Sequence, residues 1–96
     1  MDLLELLLDN NYNGLVELYI NGNAVQCSKF AIFPIDEKIY FLLLPTTQVE
    51  GMDEGELIIL YITRSDFNLK IVNDRSEFSL ILDYYEKLIG RQKAQD

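Results

Sequence analysis

Two stretches, Ile39-Tyr40-Phe41-Leu42-Leu43-Leu44 and Leu57-Ile58-Ile59-Leu60-Tyr61-Ile62, decide how this chain folds. Each is a continuous apolar run of strand length, without the polar alternation of a strand that has one wet face. Such strands are buried on both sides, so the sheet that holds them needs cover above and below. One cover is visible further along the chain. Asp74 is placed to cap a helix that begins at Arg75, and Glu77 sits where it would complete a capping-box-like arrangement. Phe78, Ile81, Leu82, Tyr85, Leu88 and Ile89 then make the apolar stripe of an amphipathic helix. Gly90 is expected to end that helix, with Lys87 and Arg91 at the negative end of its dipole. Three candidates remain for the second cover: an N-terminal helix, curvature of the sheet itself, or a second copy of the protein.

Working outward, Asp2 to Asp9 places leucines at 3, 4, 7 and 8, the spacing of one face of a short helix. The Asn-rich stretch 10–14 stops it. Leu15 to Ile20 reads as a strand, and Asn21-Gly22 is the strongest short hairpin signal in the chain. A second strand runs from about Ala24 to Phe33, with a slip in alternation near Lys29 and Phe30 that predicts a bulge. Pro34 to Glu37 reads as a turn, because proline cannot donate to a ladder. Residues 45–56 form a polar loop, and Asn68 to Val72 a short strand with Leu69 and Ile71 pointing the same way. The expected fold is therefore α+β in a single domain, 1–96. It comprises a helical extension over 1–13, an antiparallel meander of about five strands over 15–73, a C-terminal helix over 74–90, and a flexible tail over 91–96. No βαβ crossover has a helix to use.

The 96 residues carry a formal net charge of −8, with a pI of about 4.3. An acidic surface repels phosphate backbones and anionic lipid headgroups, which argues against direct nucleic-acid or membrane-surface binding. The eleven tyrosines and phenylalanines are interleaved with acids, as in Asp83-Tyr84-Tyr85-Glu86, which does not fit a stacking platform in a positive groove. Cys27 is the one cysteine, so no intramolecular disulfide can form, as expected of a reducing compartment. The Leu-rich start carries Asp2 and Glu5 where a signal peptide needs positive charge. No apolar stretch approaches the ~20 residues that span a bilayer. The expected location is cytoplasmic.

The sequence contains no histidine. That removes the usual neutral-pH base, the Ser-His and Cys-His nucleophile systems, and most catalytic zinc sites. Glycine-rich phosphate loops are missing as well. No catalytic constellation is recognisable, so neither an enzyme activity nor a cofactor is expected. Cys27 reads first as a small hydrophobe; the alternative, a reactive thiol, would need a cation such as Lys29, which shares its strand face. Glu50, Asp53, Glu54 and Glu56 gather in one loop with Gly51 and Gly55. Without EF-hand spacing this loop reads as solvated, as a contact surface for a basic partner, or as a conceivable hard-cation site.

The segment Lys38-Ile39-Tyr40-Phe41-Leu42-Leu43-Leu44-Pro45 resembles the most recognisable strand of a bacterial family of small acidic proteins, catalogued as domain of unknown function number twelve ninety-two. The apolar strand Gly55-Glu56-Leu57-Ile58-Ile59-Leu60-Tyr61 and the ending Ile71-Val72-Asn73-Asp74-Arg75-Ser76-Glu77-Phe78 follow in the family's order, and Gly22 falls at its first hairpin turn. The resemblance covers roughly residues 15 to 89. It implies a bacterial, cytosolic setting and this fold, and it brings no assigned activity. The expected role is a non-enzymatic protein-interaction or accessory domain, with a protein partner or a homodimer. The alternative is a small-ligand or metal-binding module that uses the 50–56 loop or a pocket under the sheet.

Overall fold

A computed structural model describes residues 3–20, 22–46 and 55–94. The elements run α1 (Leu3–Leu8), β1 (Leu15–Ile20), β2 (Asn23–Ile35), β3 (Lys38–Pro45), β4 (Ile58–Thr63), β5 (Asp66–Ile71) and α2 (Arg75–Ala94). The strands form one antiparallel sheet in the order β1-β2-β3-β4-β5, the expected α+β meander. Ile20 pairs with Asn23 across the first hairpin, where Gly22 adopts φ +81°, a conformation only glycine reaches without strain.

β2 carries the expected bulge: pairing with β3 shifts between Lys29 and Ala31, which leaves Phe30 as the extra residue. Its effect is to change sides. Without it Phe33 would fall on the face of Val25 and Cys27; with it Phe33 joins Tyr40 and Leu42 on the other face.

Two sequence expectations fail. Pro34 is not in a turn. It lies within β2 opposite Ile39, and the turn is Asp36-Glu37 alone, with Asp36 at φ 54°. The reason is that β1 stops pairing at Ser28, so β2 has a bare edge beyond that point. Pairs alternate away from the closing Ile35–Lys38 pair, so Pro34 occupies a position whose missing donor faces that edge. Gly90, expected to terminate the last helix, lies inside it, and residues 91–94, expected as tail, continue the helix. A helical glycine costs only about 1 kcal/mol, and Arg91, Gln92, Lys93 and Ala94 are all strong helix formers.

Both faces of β3 and β4 are buried within one chain. On one face Val16, Leu18, Val25, Cys27, Phe41, Leu43, Ile58, Leu60 and Ile62 pack around Leu7 of α1. A helix of six residues cannot roof so many side chains. The sheet therefore curls over this face and closes it largely with its own strands, so this face is concave. On the opposite face Phe33, Tyr40, Leu42, Ile59 and Val72 meet Ile81, Phe78, Leu82, Tyr85 and Leu88 of α2. Of the three candidates for the second cover, curvature and the N-terminal helix act together. The two apolar strands need no second copy.

Candidate functional site

Of the carboxylates read as a contact or cation loop, Glu50, Asp53 and Glu54 lie outside the described residues. Glu56 is exposed, on the rim of a cleft. Among the described residues no group of three or more Cys, Asp or Glu side chains is placed to hold a metal ion.

The cleft has a volume of about 470 Å³, within the usual range for small-ligand sites. It opens where Ile20 ends β1, Ile58 begins β4, Ile71 ends β5 and Phe78 faces in from α2. Three chain segments meet there because the meander brings the end of β1, the start of β4 and the end of β5 to one end of the sheet. The crossing into α2 is tightly fixed. Val72 N–H donates to Ile59 O at 2.9 Å, Ser76 N–H donates to Asp74 Oδ1 at 2.9 Å, and Phe78 N–H donates to Asp74 O at 2.9 Å. Asp74 is thus the helix cap the sequence indicates. Apolar walls with Asn73, Asp74 and Arg75 on the rim suit an apolar side chain flanked by polar atoms.

Glu77, expected to reach back and complete a capping box, is engaged elsewhere. Its Oε1 accepts from the Tyr40 hydroxyl at 3.0 Å and from Lys38 Nζ at 3.3 Å, which ties α2 to β3. Tyr40 is pushed up to about 12, first by burial and then by the hydrogen bond and charge of Glu77. Near neutral pH the phenol is therefore protonated and donates to Glu77. Lys38 also lies 4.7 Å from the Tyr61 ring centroid. Residues 38, 40, 61 and 77 are too far apart in sequence for any local pattern to have joined them.

Cys27 is fully buried in the concave core, and burial pushes its thiol up. Lys29 shares its face, as expected, but its ammonium is engaged by backbone carbonyls. It donates to the carbonyls of Leu6 at 2.7 Å, Asp9 at 2.8 Å and Tyr12 at 3.1 Å. Burial, which disfavours the thiolate, is the influence the structure places on the thiol, and Cys27 packs in the concave core.

Large apolar groups are exposed beside the two sheet edges. Tyr19 of β1 is 74% exposed, and Phe67 and Ile71 of β5 are 63% and 46% exposed. Among the described residues β1 and β5 each have a single hydrogen-bonded neighbour, so each is an edge strand of the sheet. Among the described residues no helix is long and apolar enough to cross a membrane.

The family model described as a protein of unknown function, DUF1292, matches residues 21–90, from the first hairpin turn into α2. No curated protein and no solved structure matches the chain.

Proposed function

The chain belongs to the DUF1292 family, whose function is unknown, and we propose that it is a non-enzymatic interaction or accessory domain of the bacterial cytosol that engages a protein partner at its β1 and β5 edges. The observation that carries this reading is the coincidence of unpaired strand edges with Tyr19, Phe67 and Ile71 left in solvent. Edge strands accept added strands through their backbone, and exposed side chains beside them supply selectivity. The net charge of −8 favours a basic partner. The absence of histidine and the burial of Cys27 support a role without catalysis.

Native mass measurement of the tagged chain recovered from a bacterial lysate tests this reading. A stoichiometric companion is expected with the wild type and with Leu80→Lys, whose site is 70% exposed on α2 rather than on an edge strand. Phe67→Lys should abolish it. A companion that survives Phe67→Lys would move the surface elsewhere, and one of the chain's own mass would make the partner a second copy.

The second reading, a small-ligand module, is favoured by the 470 Å³ cleft. A thermal-shift screen separates the two, because a ligand at 100 times its Kd adds about 2.7 kcal/mol of stability.

A further inference from the structure

A lysine on the concave, aliphatic face of a sheet needs a reason. An ammonium taken from water is costly unless each of its donors finds an acceptor. Lys29 lies opposite Leu43 on the face that holds Cys27 and Phe41, immediately before the β2 bulge. Bulges re-aim side chains, and this one directly follows Lys29. All three ammonium hydrogens are accounted for by the carbonyls of Leu6, Asp9 and Tyr12. The Leu6 carbonyl belongs to the last turn of α1, where carbonyls lack intrahelical partners, and a positive charge there also complements the negative end of the helix dipole.

Apart from Lys29, packing holds the segment 3–14 to the sheet, with Leu3, Leu4, Leu6 and Tyr12 partly buried against the cluster around Leu7. Six helical residues do not sustain themselves in water. Leu7 alone in α1 is fully buried, and Leu8 is 45% exposed. The other polar bonds of the segment are local: Asn11 N–H to Asp9 Oδ1, Tyr12 N–H to Asp9 O, and the Tyr12 hydroxyl to Leu15 O. Among the described residues, Lys29 makes every hydrogen bond between this segment and the sheet beyond Leu15.

We infer that Lys29 is a latch: its ammonium holds α1 closed over the concave core, and the segment 3–14 opens as a unit while the sheet and α2 stay folded. Such a cover is a local opening drawn from the low-stability end of the molecule. Opening bares Cys27, which packs in the same cluster as Leu7, so the thiol reports the lid. The β1–β2 hairpin, which begins at Leu15, stays in place when the lid lifts.

The test is the rate at which iodoacetamide alkylates Cys27 in the native full chain, followed together with amide exchange. Lys29→Met removes the donors and keeps the length of the side chain. It should raise the alkylation rate about tenfold or more, with amide protection in β3, β4 and α2 unchanged. Leu7→Ala, which leaves Lys29 intact, should do the same. An unchanged rate, or a rise matched by lost protection in β3, would overturn the latch. Should Lys29→Met fail to fold, the wild type decides: alkylation through a lid depends only weakly on urea, whereas alkylation with the full urea dependence of global unfolding would refute it.

Discussion

On the concave face the strands close a core whose buried residues are aliphatic apart from Phe41 and Cys27, roofed by a six-residue helix. On the opposite face a twenty-residue helix lies across rings. There the Phe33 centroid is 5.6 Å from that of Tyr84 and 5.9 Å from that of Tyr85, and Phe30 is 5.4 Å from Tyr85. The first cover consists mostly of the sheet's own curl; the second is a separate element with its own cap and a polar tie through Glu77 to Tyr40 and Lys38. The difference shows that a strand buried on both sides does not call for two covering layers. Curvature substitutes for one of them, and the short helix that completes it is held by Leu7 and its neighbours together with the Lys29 ammonium.

The sharpest way to break this comparison is to remove one large group from each core. Phe41→Ala should cost about 3–5 kcal/mol, because the hole would be walled by hydrogen-bonded strands that cannot collapse into it. Ile81→Ala should cost less, since α2 can shift to fill the gap. Urea denaturation of both variants checks this, and equal losses would mean that the curl is no more rigid than the helix.

A second comparison uses pH. The folded pKa of Tyr40, about 12, lies above the ordinary value of 10.0, so folding favours the protonated phenol. That contribution is complete below pH 10 and is lost as pH rises through about 12. Tyr40→Phe has no such proton to lose. Between pH 10 and 12 it should escape a loss on the order of 2 kcal/mol that the wild type suffers, while being about 1 kcal/mol less stable near neutrality. Denaturation curves at several pH values check both limbs, and the concave core should be indifferent to the change.

The smallest expected effect separates the covers at their starting points. Asp74→Ala should cost about 1 kcal/mol by removing the α2 cap. Amide exchange should quicken in the first turn of α2 and stay unchanged at Cys27 and Leu43.

Much of this architecture could be read from local chemistry. The apolar runs 39–44 and 57–62, the glycine turn at 22, the slip at Lys29 and Phe30, and the cap at Asp74 all act within a few residues of themselves. What could not be read depends on partners distant in sequence. Pro34 fits a strand only because β1 ends early, and Glu77 leaves its capping role only because Tyr40 and Lys38 arrive from β3. The cleft was legible only as a pocket somewhere under the sheet, since Ile20, Ile58, Ile71 and Phe78 belong to four different elements. The burial of Cys27 was anticipated, but the use made of Lys29 was not, because its acceptors are backbone carbonyls that carry no sequence signature.

The number of strands has a consequence of its own. In a meander each strand reverses the last, so with five of them the first and the last run in the same direction. An up-and-down sheet can seal itself with antiparallel bonds only when its strand count is even. Here any direct seam between β1 and β5 would have to be parallel, the slightly weaker pairing. One further strand, running against both, would be antiparallel to each of its neighbours. The opening between the edges is thus set by parity, and point substitutions along β1 or β5 leave that parity unchanged.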